Sequence, residues 1–196
     1  MITTNRVFEA VILCGGEGRR MGGVDKGWLM LDDLPLWQHA WRQLQGQTLP
    51  PQRIVLSANR HLERYAASGL AVIADLRPQR LGPMAGIEAA LTHTCADWLL
   101  VVPCDVPKLP LDLADRLLRG VGEAKAAYAL TAERSHPACC VLARALLPAL
   151  TASLDNGQAR LWQWLDQQAA VAVTFPDDAA FDNLNTPQAL QAAQTR

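Results

Sequence analysis

Apolar residues along the chain cluster in short runs, separated by polar breaks often marked with glycine or proline. Val7 to Leu13 (V-F-E-A-V-I-L) is a near-continuous apolar run stopped by Gly15-Gly16, the pattern of a buried strand. Leu36, Trp37, Ala40, Trp41 and Leu44 recur at helical spacing and predict a helix over Leu36 to Gln45. Beyond Pro50-Pro51, strands are expected at Arg53 to Ala58, Leu70 to Ala74 and Asp97 to Pro103. Helices are expected between and after them at Leu62 to Ala67, Gly86 to Thr94 and Leu111 to Leu118. The later pattern is looser. It gives strands at Ala126 to Thr131, Ala138 to Ala143 and Val171 to Phe175, and helices at Leu146 to Leu154 and Gln158 to Gln168. Thr186-Pro187 supplies an N-cap and first-turn proline for a C-terminal helix. Strands alternating with helices predict an α/β fold of Rossmann-like type, a mostly parallel sheet flanked by helices, as a single domain over residues 1–196.

The chain's 196 residues carry 18 Lys+Arg against 19 Asp+Glu, a net charge of −1 that offers no bulk attraction to nucleic acid or an anionic membrane. No apolar run reaches the ~18 residues of a bilayer span, and the polar start from Met1 to Glu9 does not read as a signal peptide. A cytoplasmic protein is expected. Its five cysteines lack zinc-site spacing and are expected to be reduced, most of them buried.

In α/β sheets of this kind, ligands bind at the carboxyl ends of the strands, so chemistry is sought just after them. Six of the thirteen glycines lie between Gly15 and Gly27, in L-C-G-G-E-G-R-R-M-G-G-V-D-K-G. A glycine-rich loop brings backbone N–H groups close to an anion, and Arg19, Arg20 and Lys26 add positive charge, so a polyphosphate is the natural partner. Neither the Walker A spacing nor the dinucleotide fingerprint is met. The loop instead resembles that of nucleotidyltransferases, and in its fuller form that of the molybdenum cofactor guanylyltransferases, with Cys14 where that family normally has Ala.

Asp105 follows W-L-L-V-V-P-C at the end of a buried strand. A triphosphate travels as its Mg2+ complex, and Mg2+ takes only one or two protein carboxylates; Asp105 fits that need, and V-P-C-D-V-P resembles the family's metal motif. Asn59 and Asp75 also end strands and by themselves are ordinary turn residues. The resemblance of S-A-N-R-H and V-I-A-D to nucleoside-holding segments of the family raises both. L-G-P-M-A-G, carrying Gly82 and Gly86, reads equally as a turn plus helix start or as close backbone approach to a nucleoside; it resembles the family's G-P-L-A-G. His136-Pro137 reads as a turn, and Asn183 and Asn185 read as turn formers or helix caps. All three positions resemble family elements around the cleft, which implies that one asparagine helps hold the metal or the acceptor phosphate.

The resemblance thus implies nucleotide contacts at Leu13, Cys14, Gly15, Gly16, Gly23, Lys26, Asn59, Asp75, Gly82, Gly86 and Asp105. It implies charge balance by Arg20 and Lys26 and metal binding by Asp105. The activity it implies is transfer of GMP from GTP to the phosphate of the molybdenum-molybdopterin cofactor with release of pyrophosphate, and its wider partners would be molybdenum insertion proteins and apo-molybdoenzymes. The rivals are a cytidylyltransferase or sugar-phosphate nucleotidyltransferase of the same fold, and a non-catalytic nucleotide-binding regulator. None of the six tryptophans is assigned to the ligand: Trp37 and Trp41 share a helix face and are read as core, and of Trp162 and Trp164, two apart, one is expected to be exposed.

Overall fold

The first apolar run forms β1 (Phe8–Leu13), and the period-2 alternation of a strand divides its side chains between two cores. Phe8, Ala10 and Ile12 join one cluster; Val11 and Leu13 join the other. In β6 (Trp98–Pro103), Leu100 and Val102 face the first cluster while Leu99 and Val101 face the second. Both strands are buried on both faces, which is why they read as continuous apolar runs rather than as alternation. The structure is a computed structural model and describes residues 6–15, 25–79 and 81–184. The C-terminal helix expected from Thr186-Pro187 lies outside them.

Seven strands form one sheet in the order β5-β4-β1-β6-β8-β7-β9. The others are β4 (Ile54–Ser57), β5 (Ala71–Ile73), β7 (Ala126–Leu130), β8 (Ser135–Ala143) and β9 (Val171–Thr174). The β5-β4-β1-β6 half is parallel throughout, with Leu13 in register with Ser57 on one side and Pro103 on the other. β8 runs antiparallel to β6 and β7, and β9 is parallel to β7, so the sheet is mixed and mostly parallel, as expected. Helices α1 (Leu36–Gln45), α2 (Leu62–Ala66) and α4 (Leu113–Gly120) bury side chains in the first core. Helices α3 (Pro83–His93), α5 (Leu147–Asp155) and α6 (Leu161–Gln167) bury theirs in the second. Among the described residues, no helix is long and apolar enough to cross a membrane.

Several expectations are corrected. A small hairpin, β2 (Met30–Leu31) and β3 (Leu34–Pro35), was not foreseen; Asp32 and Asp33 make its two-residue turn with φ of 47° and 61°, a conformation Asp tolerates better than most residues. Helix α3 starts at Pro83 rather than Gly86, with proline in its first turn. His136-Pro137 is not a turn: β8 already begins at Ser135, and the proline falls where the β7–β8 register shifts between Tyr128 and Ala129, so no ladder bond is lost to it. Cys14, Cys104, Cys139 and Cys140 are buried and Cys95 is exposed. Trp164 is buried and Trp162 exposed, while Trp41 is only partly buried.

Candidate functional site

Backbone hydrogen bonds continue the parallel ladder one step past the strand ends. The Ala58 N–H donates to the Ile73 carbonyl at 2.9 Å, Cys14 to Ser57 at 2.8 Å and Cys104 to Leu13 at 3.1 Å. The residues that follow in each chain segment, Gly15, Asn59, Asp75 and Asp105, are therefore set in one row along the carboxyl edge of the sheet, where α/β sheets bind ligands. The row separates into two clusters.

Asn59 and Asp75 pair reciprocally. The Asn59 Nδ2 donates to the Asp75 carboxylate at 2.8 Å, and the Asp75 backbone N–H donates to Asn59 Oδ1 at 2.9 Å. Both ends of the amide are used, and the second Asp75 oxygen is left as an acceptor at the edge. Burial holds the Asp75 carboxyl above its ordinary range, against the lowering effect of the Asn59 bond and with help from the nearby Glu88 charge. Gly15 adjoins this pair: a Cβ there would stand 3.2 Å from Asn59 Nδ2, so glycine lets the loop pass close to the amide.

The second cluster joins Lys26 to Asp105. Lys26 opens a short 3-10 turn (Lys26–Trp28), and its Nζ stands 3.5 Å from Asp105 Oδ2. That is long for a charge-assisted hydrogen bond, which closes to ~2.8 Å. Such a loose, partly solvated pair is worth ~1 kcal/mol or less. The Asp105 main-chain oxygen accepts from the Leu184 N–H at 2.9 Å, which ties the segment carrying Asn183 to the backbone of Asp105. Asn183 is exposed and Leu184 buried. Among the described residues, no group of three or more His, Cys, Asp or Glu side chains converges on a metal position; Asp105 is the carboxylate that follows a strand at this end of the row.

Glycines 82 and 86 differ in their reasons. Gly82 caps α3 with φ 65° and ψ −153°, a backbone conformation that requires glycine, and nothing lies within 4 Å of where its Cβ would be. At Gly86 a Cβ would meet Ser57 Oγ at 2.5 Å and Leu13 Cδ2 at 3.2 Å, so glycine there lets α3 lie against the sheet. Arg20, Gly16, Gly23 and Asn185 fall outside the described residues.

Two features had no sequence signal of their own, and a third falls on His136, which the sequence reads as a turn. The Asp25 carboxylate accepts the Tyr65 hydroxyl at 2.8 Å and the Gly27 N–H at 3.1 Å. Arg77 grips Glu88 through two nitrogens at 2.7 and 2.8 Å and Asp155 at 2.6 Å, while the Thr151 hydroxyl also donates to Glu88. Arg77 and the Thr151 hydroxyl hold the Glu88 carboxyl below its ordinary value. Finally, His136 stacks on Phe181 with ring centroids 4.5 Å apart, bracing the segment that reaches Asp105. A cavity of about 360 Å³ lies elsewhere, among Trp28, Trp37, Trp41 and Arg64, and none of the strand-end residues lines it.

A parallel half-sheet with a lysine, a strand-end carboxylate and a glycine approach in one row defines a nucleotide-handling α/β protein. The family model described as MobA-like NTP transferase domain matches residues 10–171, and the chain belongs to that family of nucleotidyltransferases. It is 42% identical over 189 residues to the molybdenum cofactor guanylyltransferase of Pasteurella multocida, covering 94% of this chain and 97% of that one. It is 41% identical over 180 residues to the enzyme of the same name from Serratia proteamaculans, covering 91% and 90%. The fold also matches the crystal structure of molybdopterin-guanine dinucleotide biosynthesis protein A from Archaeoglobus fulgidus with a TM-score of 0.75, at 21% identity, over 95% of this chain and 97% of that one.

Proposed function

We infer that the protein is a molybdenum cofactor guanylyltransferase, transferring GMP from GTP to the phosphate of the molybdenum-molybdopterin cofactor. The observation that carries this is identity near 42% running through almost the whole of both chains, rather than through the glycine loop alone. In the reaction, an oxygen of the acceptor phosphate forms a bond to the α-phosphorus of GTP. The bond from that phosphorus to the bridging oxygen breaks, and pyrophosphate leaves with the electron pair. The acceptor is already anionic, so no covalent enzyme intermediate is needed; the protein must align the groups and balance charge.

The geometry supports a division of labour along the row. Lys26 and Asp105 stand where the triphosphate would lie, and their pairing is weak enough for phosphate oxygens to take the lysine and free the carboxylate. The donor set at Asp105 suits Mg2+, which completes its shell with phosphate oxygens and waters and, when bound, would neutralise triphosphate charge. Arg20, from the glycine loop, would add a second cation to the phosphates. The Asn59–Asp75 pair offers acceptors to the nucleoside at the other end, and Gly15, Gly82 and the Leu13-Cys14 backbone line the path between. Asn183 or Asn185 would meet the metal or acceptor phosphate beside Asp105. On this reading the enzyme works in the cytoplasm and hands its product to molybdenum insertion proteins and apo-molybdoenzymes.

Calorimetric titration with GTP, CTP and ATP, with and without Mg2+ and with an Asp105→Ala variant, tests the assignment. GTP-selective binding whose metal-dependent heat disappears in the variant is the expected result. A preference for CTP would replace it with a cytidylyltransferase, and binding of no nucleotide would overturn the site.

A further inference from the structure

Lys26 stands on a turn held from both sides. On its N-terminal side, Asp25 is buried and its Oδ1 accepts both the Tyr65 hydroxyl at 2.8 Å and the Gly27 N–H at 3.1 Å. On its C-terminal side, the Trp28 ring lies 5.0 Å from that of Tyr65, under the Arg64 guanidinium at 3.7 Å. Gly27, between them, has no room for a side chain, because a Cβ would overlap the Tyr65 hydroxyl. Tyr65 itself is fully buried on α2, forty positions away in sequence. Tyr65 thus meets Asp25, Gly27 and Trp28 around the lysine, whose Nζ stands 3.5 Å from Asp105 Oδ2.

We propose that Tyr65 is a positioning residue for nucleotidyl transfer, acting through Asp25 to hold the turn that presents Lys26 to the triphosphate. The proposal rests on the reading of Lys26 as a phosphate ligand. Burial and the adjacent Asp25 charge raise the phenol far above its ordinary value, so it remains a hydrogen-bond donor throughout the working pH range. The five-residue α2 also follows Asn59 after a left-handed His61 with φ 49°. One short segment, 59–65, therefore both supplies the amide at the nucleoside end and anchors the lysine at the phosphate end.

A double-mutant cycle on the full chain, assayed by turnover of GTP with the molybdenum-molybdopterin cofactor and Mg2+, tests this. Tyr65→Phe keeps the ring and removes the hydroxyl, and it is expected to lower kcat/KM for GTP about tenfold, the scale of a hydrogen bond to a charged group. In a Lys26→Ala background the same change is expected to have no further effect, because the group it positions is gone. A purely structural role would lower kcat/KM by the same factor in both backgrounds, and that result would overturn the proposal while leaving Lys26 at the phosphates. An unchanged kcat/KM in Tyr65→Phe would also overturn it. If Lys26→Ala alone leaves kcat/KM intact, the phosphate reading fails and the proposal with it. Should Tyr65→Phe not fold, Asp25→Ala cuts the same link from its other side and is judged by the same cycle.

Discussion

Gly86 is the residue whose sequence reading was most evenly divided, and a single methyl group separates the two readings. Built onto Gly86, a Cβ lies 2.5 Å from Ser57 Oγ and 3.2 Å from Leu13 Cδ2, the first about 1 Å inside ordinary contact. Ser57 is buried on β4 and Gly86 is buried on α3, so neither side yields freely. Overpacking of this kind costs about 1–3 kcal/mol, against which Ala in a helix gains roughly 1 kcal/mol over Gly. The clash outweighs the propensity over most of that range, and Gly86→Ala is expected to lose up to about 2 kcal/mol. At roughly 2–4 °C per kcal/mol for a chain of this size, the melting temperature should fall by up to about 8 °C.

Ser57→Ala deletes the Oγ and leaves Leu13 Cδ2 at 3.2 Å and the Cβ of residue 57 at 3.5 Å as nearest neighbours. In that background Gly86→Ala should be neutral or gain up to ~1 kcal/mol from helix propensity. Thermal melts of the four proteins measure the coupling. Equal losses from Gly86→Ala in both backgrounds would refute the packing account. GTP affinity decides what the glycine does for the ligand: binding that returns with stability assigns it to the helix–sheet contact. A stable double variant that cannot bind GTP would return Gly86 to the nucleotide.

Two further outcomes are expected. Burial, and the Arg134 charge after it, lower the His136 pKa below its ordinary value, while Asp178 and Asp182 oppose the shift. The unfolded chain therefore binds more protons as pH falls through and below the ordinary histidine range, and stability must fall with it. Urea midpoints should drop between pH 7 and pH 5 more steeply for the natural chain than for His136→Gln, and parallel slopes would disprove the assignment. On α6, Trp164→Ala should cost about 3–5 kcal/mol because the ring fills the second core, whereas Trp162→Ala, at 59% exposure, should stay within ~1 kcal/mol by the same denaturation assay.

Where the pattern was strong, the elements fell where the sequence put them. Helix α1 keeps its expected bounds because Leu36, Trp37, Ala40 and Leu44 form one buried stripe. Asn59, Asp75 and Asp105 were legible as site candidates because each directly follows a strand-sized apolar run, and the register then places them in one row. The Tyr65–Asp25 bond was not legible, since nothing local to either residue specifies a partner forty positions away. The β2–β3 hairpin is too short for periodicity to register, and its Asp32-Asp33 turn carries no glycine. The start of α3 was visible in L-G-P-M through its proline at the first helical turn, but the glycines drew attention to a ligand instead.

The looser pattern of the second half follows from β8. An antiparallel strand between β6 and β7 needs no crossover helix on the ligand side, so the regular strand–helix alternation stops there. Reversal of β8 also brings its first residues, not its last, to the carboxyl edge of β6, which is how His136 comes to that end of the sheet. The Thr131 hydroxyl donates to the Arg134 carbonyl at 3.1 Å, so the imidazole donates to Thr131 through Nε2 at 3.0 Å. The ring stacks on Phe181, and three residues later the Leu184 N–H holds the Asp105 carbonyl. A residue that reads as a turn in isolation thus braces the segment that reaches Asp105, while the parallel half of the sheet supplies the strand ends that carry Gly15, Asn59, Asp75 and Asp105.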